Sequence, residues 1–114
     1  MSLLSTLFGT KNETSDKIAV LDRDTYADAI TGSKIQLVDV RTANEFKGGH
    51  IKNAMNIDFY NVVNFQKSFK KLDKNKPVYL YCRSGARSQK VARKLVDMGF
   101  SQIYDLKGGY MGWP

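Results

Sequence analysis

From Lys17 onward, short runs rich in β-branched and aromatic residues alternate with segments whose apolar residues recur at helical spacing. Such alternation favours a parallel sheet, because parallel neighbours need long crossovers and a helix in each crossover covers a face of the sheet. Five strands are expected, at Ile18–Leu21, residues 36–40, residues 54–57, Val78–Tyr81 and Ile103–Leu106. Asp22 offers an N-cap for a helix through Tyr26, Ala27 and Ile30 that stops at Gly32. Thr42-Ala43-Asn44-Glu45 has the form of a capping box, in which hydroxyl and carboxylate satisfy each other's free amides. It starts a short helix through Phe46 that Gly48-Gly49 ends. Val62, Val63, Phe65, Phe69 and Leu72 mark a third helix, and Pro77 resets the chain. Val91, Ala92, Leu95 and Val96 mark a fourth, with Gly99 placed to cap its end.

The supply of apolar side chains, 42% of 114 residues, suits one core and not two, so residues 17–114 are expected to form one domain behind a flexible segment at 1–16. No apolar run approaches the ~18 residues of a membrane span. The apolar opening is short and lacks a basic leading segment, so it does not read as a signal peptide. That places the protein in the cytoplasm, or in the periplasm if a leader has been removed. Much of the formal charge of +7 falls on Lys67, Lys70, Lys71, Lys74 and Lys76, against one acid, Asp73. With no arginine readers interleaved and no known binding motif, this patch is read as a solvated helix face and not a nucleic-acid surface. Its field would at most draw an anionic substrate or acidic partner.

The single cysteine excludes an internal disulfide and a cysteine-based metal cluster, so its thiol serves packing or chemistry. Its context points to chemistry. In Cys82-Arg83-Ser84-Gly85-Ala86-Arg87-Ser88 the thiol leaves a strand end and enters a turn of small residues that opens a helix. Gly85 and its small neighbours let backbone N–H groups turn inward, and the helix N-terminus adds positive potential at the same place. Arg83 and Arg87 add charge. Such surroundings favour a thiolate, and the carboxyl end of a strand is where open α/β sheets bind ligands. A packing cysteine needs none of this.

Several motifs together resemble the rhodanese-like domains, over nearly the whole span from Ile18 to Trp113. Val38-Asp39-Val40-Arg41 with Glu45-Phe46, followed by Gly49-His50-Ile51 and Ala54-Met55-Asn56-Ile57, is similar to the family's first conserved region. Tyr81-Cys82-Arg83-Ser84-Gly85-Ala86-Arg87-Ser88 resembles its active-site loop, and Asp105-Leu106-Lys107-Gly108-Gly109 with Trp113 its closing motif. The resemblance implies a doubly wound α/β fold with a five-stranded, mainly parallel sheet and helices on both faces. It also implies a sulfurtransferase: Cys82 takes a sulfane sulfur from a donor such as thiosulfate and passes the persulfide on. Amides and side chains of Arg83, Ser84, Gly85, Ala86, Arg87 and Ser88 would bind the donor. The loop mixes the Cys-Arg-Lys-Gly of the thiosulfate enzymes with the Cys-Gly-Ser-Gly of the mercaptopyruvate enzymes, so the donor stays open.

Asp39 and Arg41 are read as supports of the pocket floor. His50, the lone histidine, belongs to a structural turn in the family and is not taken as a base. Tyr110, Met111 and Trp113 read as a closing aromatic cluster used in packing. No cofactor or metal motif is present. The expected partners are a small anionic sulfur donor and a thiol, cyanide or thioredoxin-like acceptor, with no nucleic acid, no membrane and no assigned oligomeric state. Two alternatives compete. One is a non-catalytic docking module, although such relatives usually lack the cysteine. The other is a phosphatase or arsenate reductase of the same fold, whose loop has five residues between cysteine and arginine where this one has four, Arg83 to Ala86.

Overall fold

The computed structural model describes residues 16–113. The strands are β1 (Ile18–Leu21), β2 (Gln36–Asp39), β3 (Met55–Asn56), β4 (Val78–Tyr81) and β5 (Ile103–Leu106), in one sheet of order β1-β5-β4-β2-β3. Every pairing is parallel. The helices are α1 (Arg23–Ala29), α2 (Ala43–Lys47), α3 (Val62–Lys70) and α4 (Ala86–Asp97), and a single 3-10 turn, Tyr110–Gly112, follows β5.

Strand alternation sorts the core into two layers. Val78, Leu80 and Cys82 point to the face covered by Phe65 and Phe69 of α3 and Val91, Ala92 and Leu95 of α4. Tyr79 and Tyr81 point to the other face, where they meet Tyr26 of α1, Ile51, Leu106, Tyr110 and Trp113. The same two-residue period that buries β4 on both faces therefore delivers Cys82 to the α3/α4 side.

The helix caps formed as the side chains dictate. Asp22 accepts from Thr25 N at 2.8 Å, and Thr42 with Glu45 completes the capping box. Gly99, at φ +102°, follows the end of α4. Other boundaries moved. Helix α1 ends at Ala29 and not at Gly32, because Thr31 turns both its amide and its hydroxyl onto Asp28 O and ends the ladder early. Strand β3 is two residues long. The Asn56 side chain bridges the carbonyls of Asp39 and Arg41, and Ile57 N continues the pairing onto Asp39 O. In α3, Phe65 and Phe69 are buried, whereas Val62 and Val63 face solvent, so the buried stripe is narrower than the apolar residues suggested.

In register, Asp39 of β2 stands beside Tyr81 of β4, so Arg41 and Cys82 leave the sheet at one edge. The closing segment then packs against the same edge. Tyr110 N donates to Cys82 O at 2.8 Å and Met111 N to Arg83 O at 3.0 Å. That approach requires glycine at 109, which sits at φ +64° and where a Cβ would fall 2.5 Å from Arg83 O and 2.7 Å from Cys82 O. Gly109→Ala should therefore cost about 2 kcal/mol or more in urea unfolding, since both the backbone and the clash oppose it. A midpoint equal to that of the parent would show that the closing segment does not hold the loop.

Candidate active site

The loop between β4 and α4 is closed around the sulfur of Cys82. Gly85, at φ +111°, turns its N–H back to donate to Sγ at 3.0 Å and serves as the N-cap residue of the 12-residue α4. No side chain caps that helix start. Its free N–H groups and dipole are therefore left to act on the sulfur and on whatever binds beside it. Ser88, buried in the first turn, accepts from the Cys82 thiol at 3.3 Å and donates to Gly85 O at 3.1 Å, which ties the loop to the helix. Cys82 is 1% exposed, while Arg83, Ser84 and Ala86 form the outer rim.

Beneath the loop lies a buried ion pair. Arg41 meets Asp39 in a bidentate contact, with its Nη2 2.6 Å from Oδ2, and also donates to Gly49 O. Burial opposes the charge on Arg41, but the hydrogen bonds and charge of Asp39 outweigh it and raise the arginine pKa. The guanidinium lies 4.3 Å over the ring of Tyr110, whose amide holds Cys82 O. Asp39 and Arg41 thus reach Cys82 through Tyr110 and the backbone, not by touching its sulfur. Tyr81 accepts from Ile51 N and stacks on Tyr110, fixing the same corner. Tyr110 and Trp113 pack on the core while Met111 remains exposed.

Arg87 reaches across to α2. Its two terminal nitrogens donate to the two oxygens of Glu45 at 2.9 and 3.1 Å, and its guanidinium lies 5.8 Å from the Tyr60 ring centre. The Arg87 hydrogen bonds, opposed by burial and helped by the Thr42 amide and hydroxyl, hold the Glu45 pKa down at about 2. Glu45 in turn raises that of Arg87, with a smaller contribution from Cys82. Arg83 is exposed and makes no ion pair among the described residues.

Three features escaped the sequence reading. Glu45 was legible as a cap but not as the partner of Arg87, because the pairing spans 42 residues. Asp105 stands in the sequence within the closing motif. It is buried on β5, its Oδ2 accepts from Gln89 at 2.6 Å, its Oδ1 has no partner, and burial raises its pKa. A carboxylate inside the strand Ile103-Tyr104-Asp105-Leu106 was the available signal, since acids are rarely buried there. Gly109 was the third. His50 is exposed, stacks on Phe46 and bonds to Phe46 O through Nδ1. A cavity of about 230 Å³ opens between α3 and α4, lined by Phe59, Phe65 and Met98 among others and by no residue of the loop. No helix among the described residues is long and apolar enough to cross a membrane.

A parallel α/β sheet with a cysteine at a strand end, in a glycine turn that opens a helix, defines a class of proteins that hold a thiol against a helix start. The family model of the rhodanese-like domain matches residues 22–114, and the chain belongs to that family. YqhL of Bacillus subtilis, a protein named as uncharacterized, is 44% identical over 80 residues, which are 70% of this chain and 61% of that protein. The thiosulfate sulfurtransferase GlpE of Coxiella burnetii is 39% identical over 79 residues, covering 69% of this chain and 71% of the relative. A rhodanese-like domain protein from Staphylococcus aureus superposes with a TM-score of 0.72 at 28% identity, over 84% of this chain and 91% of the other.

The depressed Glu45 pKa carries a stability signature. An acid whose folded pKa lies below its unfolded value adds stability that is complete above the unfolded pKa and lost as pH falls through the folded one. Glu45→Gln should therefore lower the melting temperature at pH 7, and the deficit should shrink between about pH 4.5 and about pH 2. The pair is partly solvated, which keeps the effect modest. A deficit independent of pH would show that the ion pair does not supply it.

Proposed function

We propose that the chain is a sulfurtransferase that carries sulfane sulfur as a persulfide on Cys82. The observation that carries the reading is the Gly85 N–H aimed at Sγ at 3.0 Å from the uncapped start of α4, an arrangement suited to an anion on sulfur. Likeness to relatives named thiosulfate sulfurtransferase supports the reaction class.

In the first half-reaction Cys82, reacting as its thiolate, attacks the outer sulfur of a donor such as thiosulfate. The new bond joins Sγ to that sulfur, the donor's own S–S bond breaks, and sulfite leaves with the electron pair. In the second, a nucleophile such as cyanide or a thiolate attacks the outer sulfur, and the Cys82 thiolate departs. Sulfur moves between two nucleophiles with no net redox change and no cofactor. The negative charge passes from Sγ to the terminal sulfur of the persulfide and back. The Gly85 N–H stabilises it on Sγ and the uncapped amides at the start of α4 would hold it on the terminal sulfur, and their fixed orientation spares the reorganisation that water would require. Arg83 stands exposed at the rim for anionic donors. A loop with four residues between Cys82 and Arg87 suits one added sulfur atom better than a tetrahedral oxyanion, which separates this chemistry from that of a phosphatase.

The test is a panel of thiosulfate, polysulfide and mercaptopyruvate with cyanide as acceptor, scored as thiocyanate. At least one donor should turn over with the parent, and Cys82→Ser should lower the rate by more than about 10³-fold while keeping the parent's melting temperature. A folded parent inactive with every donor would leave the docking-module reading in its place.

A further inference from the structure

The acid that ties up Arg87 has a consequence for which molecules reach Cys82. Both terminal nitrogens of Arg87 are engaged by the Glu45 carboxylate, and that carboxylate cannot easily turn away. Its Oε1 also accepts from the amide and hydroxyl of Thr42, at 3.0 and 3.1 Å, as half of the α2 capping box. The pair is only partly exposed, 20% for the Arg87 side chain and 28% for Glu45, so solvent does not dissolve it. Beside the loop the two formal charges cancel. The remaining charge at the rim is that of Arg83, exposed and without an acidic partner among the described residues.

We infer that Glu45 is a specificity-determining residue of this site: it neutralises Arg87, so that attraction of anionic reactants to Cys82 rests on Arg83 while neutral reactants are admitted on equal terms. Arg87 is then a positioning residue that links α4 to α2. The inference refines the proposed sulfurtransferase and rests on its choice of Cys82 as the reacting atom. It concerns which donors that atom meets.

The sign of the effect follows from charge alone. Removing Glu45's charge while keeping its shape adds one net positive charge at the mouth, whereas removing Arg87 alone leaves an uncompensated carboxylate there. Removing both changes the net charge by nothing. If Arg87 instead bound anions directly, removing both would be as harmful as removing Arg87.

The experiment compares alkylation of Cys82 by iodoacetate, an anion, and by iodoacetamide, its neutral counterpart, in the full chain. A change in loop structure or thiolate content alters both rates, so their ratio isolates the field at the mouth. At low salt Glu45→Gln should raise the iodoacetate-to-iodoacetamide ratio by roughly three- to tenfold, the range expected for one charge several ångströms away in a partly solvated site. Glutamine retains the capping box, so the fold is kept. Arg87→Met should lower the ratio by a similar factor, Arg87→Met with Glu45→Gln should return it to within about twofold of the parent, and Arg83→Met should lower it in either background. A double variant as low as Arg87→Met, or an unchanged ratio in Glu45→Gln, would overturn the inference. Because alkylation needs no sulfur donor, these ratios decide the point even if the donor panel shows no sulfur transfer.

Discussion

A backbone N–H pointing at a sulfur atom is the contact on which the site depends. Gly85 can donate to Sγ of Cys82 only because its φ is +111°, a conformation L-residues rarely adopt, and that same turn begins α4 with its amides unclaimed by any side chain. The rest of the molecule holds the turn in place. Strand β4, paired on both sides, fixes where Cys82 emerges. Ser88 ties the loop to the helix, and the closing segment clamps the carbonyls of Cys82 and Arg83 from the opposite side. Under the clamp, Arg41 on Asp39 supports the Tyr110 ring. A buried pair of this kind adds little net stability, since desolvation offsets its attraction, yet losing one partner strands a buried charge. Its use here is to set a position.

Much of this was legible in the sequence because the deciding interactions are local or periodic. The alternation of strand and helix gave a parallel sheet, and the two-residue period of Val78-Tyr79-Leu80-Tyr81 placed Cys82 at the end of a strand buried on both faces. Caps at Asp22 and Thr42 are contacts across three residues, which sequence shows directly. Element ends were less legible, as at α1, where Thr31 rather than Gly32 stops the helix. Pairings between distant segments were not legible at all. Nothing local tells that Glu45 meets Arg87, that Gln89 meets Asp105, or that Gly109 presses on Arg83.

Those distant pairings change the electrostatic picture of the site. Two arginines in the loop suggest a strongly positive mouth, but one of them is matched by an acid from another helix. The basic lysines of α3 and the turn after it add to the overall charge, yet none has an assigned part in the loop. Close to Cys82 the charges include the paired Arg87 and Glu45, the exposed Arg83 and the fixed amide dipoles of the turn, so the local field differs from what the formal +7 of the whole chain suggests.

On the proposed reading, the turn holds an added sulfur on Cys82 as an anion. It is tested most directly by the intact mass of the reduced chain after a single exposure to stoichiometric thiosulfate, before and after cyanide. The account predicts a gain of one sulfur atom per chain, mapped to Cys82, stable during handling and removed by cyanide as thiocyanate. A folded chain whose mass stays unchanged with thiosulfate, and equally with polysulfide and mercaptopyruvate, would contradict it.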